Sequence, residues 1–141
     1  MDFEADGNGW VRAVRENPDF EVFKKIVYDW GRSNPMSAKI RKILKKLKKE
    51  LLRIYGERVD SIILYGSRAR GDARDDSDID ILVVLNKDFN YSEMLRLSSQ
   101  LVSSLSLEID VVISRAFVTK AQYDKLQIPF LMNVRREGVP V

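Results

Sequence analysis

The chain has 141 residues, 45% of them apolar, and 24 Lys and Arg against 21 Asp and Glu give a formal net charge of +3. This length and composition fit one compact domain with a real hydrophobic core, with room for a terminal appendage. Cys and His are both absent, which excludes disulfides, thiolate nucleophiles, imidazole acid–base chemistry and the usual zinc sites. Catalysis would therefore run on carboxylates, hydroxyls, Lys or Arg, or on a hard cation such as magnesium held by oxygen. The modest positive charge suits an anionic ligand without demanding nucleic acid. No secretory signal and no apolar run of bilayer length is visible, so a cytoplasmic protein is expected.

Residues 1–35 read as an N-terminal helical extension and residues 36–141 as the main domain. In the extension, Asn17 is a candidate N-cap, Pro18 sits at N1 and Gly31 can close the helix. Phe20, Phe23, Ile26, Val27 and Trp30 recur between them at helical spacing. Acids prevail over residues 1–21, where Asp2, Glu4, Asp6, Glu16, Asp19 and Glu21 face only Arg12 and Arg15. Ser33-Asn34-Pro35 is a breaker.

Residues 38–55 show the clearest helical period, with Ile40, Ile43, Leu44, Leu47, Leu51 and Ile54 on one stripe, Ser37 as cap and Gly56 as terminator. Lysines and arginines from Lys39 to Lys49 lie mostly off that stripe. They read as a solvated face or as a surface for an acidic partner. RNA is disfavoured because no aromatic residues are interleaved for stacking.

Residues 59–65 form a β-branched run ending at Gly66, and a strand is predicted. Residues 66–77 are loop and helix start. A second strand is predicted over 78–85, a helix over 92–105 and a third strand over 107–113. Residues 117–136 read as one helix or two, broken near Pro129 and stopped by Gly138. The expected fold class is α+β, a small mixed sheet with helices mainly on one face.

The chemistry centres on Asp78-Ile79-Asp80. On a strand, residues i and i+2 share a face, and two carboxylates side by side repel unless a cation lies between them. Asp110 falls at an offset that leaves Ile109, Val111 and Ile113 on the opposite face. If the second and third strands pair, Asp110 can join Asp78 and Asp80. Three carboxylates could hold two divalent ions for in-line phosphoryl transfer, which rests mostly on positioning and charge neutralisation. Asp110 also reads as an exposed strand acid, and the Asp pair as turn residues opening a strand.

Gly66 directly after a strand permits a sharp turn and close approach to a ligand. Ser67 adds a hydroxyl, which also reads as a simple helix cap. Arg68, Arg70 and Arg74 follow, suited to phosphate oxygens or to solvent. A candidate phosphate cradle is thus joined to an acid pair through ten residues, 68–77.

The string Leu64-Tyr65-Gly66-Ser67-Arg68-Ala69-Arg70-Gly71 followed by Ser77-Asp78-Ile79-Asp80-Ile81-Leu82-Val83 resembles the signature of the polymerase-β-like nucleotidyltransferase superfamily, in its minimal nucleotidyltransferase branch. The resemblance covers about residues 38–141 and includes Phe130 to Gly138. It implies that Gly66 and Ser67 hold the triphosphate, that Asp78 and Asp80 bind magnesium (manganese as substitute), and that Asp110 assists the nucleophile. It places Arg70 near the phosphates and Arg68 where many members carry an aromatic residue. It further implies AMP transfer from ATP to a tyrosine hydroxyl of a partner HEPN-type toxin, with this chain as antitoxin. Size agrees, since no length remains for an acceptor-holding second domain. Two alternatives stand beside it: neutralisation of a partner by occlusion, and transfer to a small molecule such as an aminoglycoside.

Overall fold

The computed structural model describes residues 38–141. The expected features of residues 1–35, and Ser37 as a cap, lie outside the described residues. Helix α1 spans Ala38–Tyr55 and runs into a 3-10 turn at Gly56–Arg58. Gly56 ends α1 at φ 61°, a conformation that glycine adopts without steric cost. Strand β1 follows at Val59–Tyr65, then a four-residue helix α2 at Ser67–Arg70 and strand β2 at Ile79–Leu85. Helix α3 covers Tyr91–Ile109, strand β3 Ile113–Thr119, helix α4 Lys120–Lys125, helix α5 Pro129–Glu137 and strand β4 Val139–Pro140.

The sheet has the order β3-β2-β1-β4. β1 pairs antiparallel with β2 and with β4, while β2 and β3 are parallel. The parallel pair needs a crossover, which α3 supplies. The fold is α+β with a mixed sheet, as expected from the order of apolar patterns.

Alternation along the strands divides the apolar residues into two clusters. Ile62 and Leu64 of β1 and Ile79, Ile81, Val83 and Leu85 of β2 meet the stripe of α1 and the Met94, Val102, Leu105 and Ile109 side of α3. On the opposite face Ile63, Leu82 and Val84 pack under Leu131 and Val134 of α5. Two long helices therefore cover one face, and α5 covers part of the other. The Tyr55 hydroxyl, buried between α1 and α3, donates to the Met94 carbonyl at 2.5 Å.

Two expectations are corrected. The predicted strand at 107–113 is the last turn of α3 and its exit. Val102, Leu105 and Ile109 keep the helical period through to the end, so burial of that stripe against α1 outweighs the β-branched composition. Asp110 is the C-cap at φ 55°, ψ 41°, with its N–H donating to the Ser106 carbonyl. Asp tolerates that left-handed conformation better than most residues. The strand starts at Ile113 instead. The predicted helix over 117–136 begins as strand up to Thr119. Thr119 and Gln122 then form a reciprocal capping box that starts α4. The expected break near Pro129 is present, with Pro129 in the first turn of α5.

Where α5 meets β4, Gly138 is pressed against the sheet. A Cβ there would lie 2.5 Å from the Val134 carbonyl oxygen and 2.6 Å from Ile63 Cγ2. Gly138→Ala is expected to lower stability by about 1–3 kcal/mol through overpacking, measured as a shift in the denaturation midpoint. An unchanged midpoint would show that the α5–β4 junction yields freely.

Candidate active site

Gly66 ends β1 at φ 75°, ψ −158° and opens α2. The β1–β2 register sets Tyr65 opposite Asp80. The carboxylate of Asp80 therefore stands over the Gly66 backbone. A Cβ on residue 66 would lie 2.4 Å from Asp80 Oδ2. Glycine is required here twice over, by its positive φ and by the carboxylate that occupies the space a side chain would take. Gly66 and Asp80 are thus brought together as the sequence led one to expect.

Asp80 lies on the face of Leu82 and Val84, the side covered by α5. It is half-buried, and Asp78, just before β2, is exposed. Burial raises the Asp80 pKa above the ordinary value of 3.8, and the neighbouring Asp78 charge raises it further, while Arg70 opposes both. Among the described residues neither Asp78 nor Asp80 has an ion-pair partner within 4.0 Å. Beside them the Tyr65 phenol is pushed up to about 12, first by burial and then by the Asp80 charge. The Tyr65 ring packs edge-on against Phe130 with centroids 5.4 Å apart.

The two arginines after the Gly-Ser turn do different work. Arg68 is buried, and its guanidinium donates to the carbonyls of Ser77 (2.8 Å), Asp75 (3.1 Å) and Arg74 (3.2 Å). These donors fasten the loop between Gly71 and Asp78. Arg70 is exposed at the end of α2. It pairs with Asp72 at 3.2 Å and with Glu137 of α5 at 3.1 Å.

The expected convergence of Asp110 with Asp78 and Asp80 is not formed. Asp110 sits at the end of α3, and β2 faces Ser114, not Asp110, at the level of Asp80. Among the described residues no three acidic side chains gather into a group able to hold an ion. Sequence reasoning also passed over Glu137. It closes α5 and pairs with Arg70 at 3.1 Å, a contact 67 residues away in sequence that no local pattern signals.

An acid whose pKa is raised on folding binds its proton more tightly in the native state, so stability falls as pH rises above the unfolded value. In metal-free buffer Asp80→Asn should therefore be more stable than the parent at neutral pH. The difference should shrink as pH falls below about 4. Chemical denaturation across pH 3–8 in metal-free buffer would show this. A variant less stable than the parent at pH 7 would contradict the strain assigned to the pair.

A family model described as "Nucleotidyltransferase domain" matches residues 44–135. The chain is 31% identical over 102 residues to a Methanocaldococcus jannaschii protein that carries the name of a protein adenylyltransferase, covering 72% of this chain and 98% of that protein. It is 38% identical over 73 residues to the protein adenylyltransferase MntA of Thermococcus cleftensis, covering 52% and 72%. The fold is similar to a chain in a mutant form of the toxin–antitoxin MntA–HpeT, with a TM-score of 0.50 at 22% identity over 69% of this chain and 70% of that one. Among the described residues no helix is long and apolar enough to cross a membrane. With the family match spanning the Gly66-Ser67 turn and both strand acids, the chain belongs to the nucleotidyltransferase domain family and is a nucleotidyltransferase.

Proposed function

We propose that the protein transfers AMP from ATP to a hydroxyl of a partner protein, in the presence of magnesium, and thereby acts as an antitoxin. The proposed acceptor is a tyrosine on a HEPN-type toxin, and the proposed location is the cytoplasm. The observation that carries the reading is the contact between the Gly66 backbone and the Asp80 carboxylate, with Asp78 alongside. The names of the relatives as protein adenylyltransferases supply the group transferred and the class of acceptor.

Asp78 and Asp80 fit a magnesium ion by the chemistry of their donors. Magnesium is commonly held by one or two carboxylates together with substrate phosphates. Two carboxylates suffice for one such ion, whereas the two-ion arrangement expected for three acids lacks its third member among the described residues. When bound, the ion would offset the negative charge on the phosphate oxygens during displacement. In the transfer, the acceptor hydroxyl releases its proton to solvent as its oxygen bonds to the α-phosphorus, the bond from that phosphorus to the oxygen bridging it to the β-phosphate breaks, and pyrophosphate leaves with that oxygen. Gly66 lets the phosphates approach the backbone, and Ser67 offers its hydroxyl. Arg70 presents a guanidinium beside Asp80. The acceptor comes from the partner.

The test is label transfer from α-labelled ATP to the cognate partner with magnesium. Asp78→Asn and Asp80→Asn should each reduce the rate on the order of a hundredfold or more, as loss of transition-state charge stabilisation does. Asp110→Asn should retain transfer, since Asp110 caps α3. Partner neutralisation that survives both substitutions in the Asp78/Asp80 pair would favour occlusion. Label on an aminoglycoside and never on protein would favour a small-molecule acceptor. Loss of transfer in Asp110→Asn would bring that acid into the site.

A further inference from the structure

Arg70 is held from a distance of 67 residues in sequence by a carboxylate at the far end of the chain. Its Nη1 donates to Glu137 Oε2 at 3.1 Å and its Nε to Asp72 Oδ2 at 3.2 Å. The second oxygen of Glu137 accepts from Arg136 at 3.3 Å. The placement of Glu137 follows from the sheet. β4 pairs with the end of β1, Val139 opposite Leu64. Glu137, the last residue of α5, lies two residues before that pairing, and its carboxylate reaches Arg70 of the short helix that Gly66 opens. The preceding helix is fixed by the fully buried Leu131 and Val134, and Gly138 is seated against Ile63 and the Val134 carbonyl. Glu137 thus stands on a rigid support within reach of Arg70.

A guanidinium has five N–H donors in a planar fork. Asp72 and Glu137 engage Nε and Nη1, and among the described residues Nη2 has no hydrogen-bond partner. Left to itself, an exposed arginine on a four-residue helix would sample many rotamers, and ordering it would cost conformational entropy when an anion binds. Two carboxylates on separate elements remove that freedom beforehand.

We propose that Glu137 is a positioning residue that holds Arg70 beside the Gly66-Ser67 turn, so that the triphosphate of the incoming nucleotide meets a preset cation. The proposal rests on the assignment of the Asp78/Asp80 pair and that turn as a magnesium–nucleotide site. Glu137 touches neither nucleotide nor acceptor; it works through Arg70. Asp72 alone, two residues from Arg70 and exposed, cannot set the direction of the arm as a carboxylate anchored on α5 does.

The experiment is calorimetric binding of magnesium–ATP to the full chain, joined to steady-state transfer. Glu137→Ala should weaken magnesium–ATP binding and raise KM for ATP by about tenfold, the scale of a coupled ion-pair contact. kcat should stay within about twofold, because the residue acts on binding. Glu137→Gln, which keeps an oxygen acceptor for Nη1, should recover part of the loss. In an Arg70→Ala background, Glu137→Ala should change neither binding nor KM. Equal affinity of Glu137→Ala and the parent overturns the proposal, as does an undiminished effect in the Arg70→Ala background, which would mark a purely structural role. Failure of the parent itself to bind magnesium–ATP overturns the underlying site assignment as well, and so differs from failure of the Glu137 arm alone.

Discussion

The backbone of residue 66 and the carboxylate of residue 80 share a space too small for any side chain on the former. This contact is set by the register of β1 on β2, which places Tyr65 opposite Asp80. The register is in turn set by burial. Ile79, Ile81, Val83 and Leu85 must meet the helical layer, and Leu82 and Val84 the other face. A slip of one residue would drive Asp80 into the α1–α3 core and turn four buried side chains outward. The same apolar alternation that makes the sheet fold therefore delivers a carboxylate to the Gly66-Ser67 turn.

That delivery has an energetic cost. Asp80 is half-buried beside Asp78, and both burial and repulsion disfavour its charge. The core on the opposite face is extensive enough to carry the strain. Leu47 and Leu51 of α1, Met94 of α3 and Ile79, Ile81 and Leu85 of β2 are almost completely excluded from water, each contributing about 1.5–3 kcal/mol of burial free energy. The division of labour is visible in the layering. One face of the sheet is closed by two long helices and stabilises the domain. The other is covered only in part by α5, and on it the acid pair remains reachable by a charged ligand.

The sequence reveals most of this where periodicity and local chemistry agree. The stripe from Ile40 to Leu51 marks α1, and the β-branched run before Gly66 marks β1. The Gly66-Ser67 and Asp78-x-Asp80 pattern marks two segments that the sheet brings together. It misleads at Ile109-Asp110-Val111-Val112-Ile113, which alternates like a strand. There the helical stripe of α3 runs on to Ile109 because α1 is present to bury it, a tertiary effect no local window contains. Asp110 then adopts a left-handed cap, and the strand begins at Ile113, past the acid that would have served on it. Glu137 was hidden for the opposite reason. Its surroundings read as an ordinary helix end, and its partner lies across the sheet.

Arg68 and Arg70 show why residue type alone could not assign the loop. Two residues apart on a short helical turn, they project to different sides, one buried and one exposed. Arg68 gathers the carbonyls of Arg74, Asp75 and Ser77 around one guanidinium, so the loop closes on a fixed centre. Part-buried carbonyls left without such a donor would carry some desolvation penalty. The number of residues between the Gly-Ser turn and the acid pair is then a consequence of geometry. The chain must pass around the Arg68 side chain and return to β2 with Asp78 and Asp80 at the level of Gly66. The spacing between the Gly66-Ser67 turn and the acid pair is thus spanned by a loop gathered on Arg68, while Arg70, exposed on the same short helix, pairs with Asp72 and Glu137.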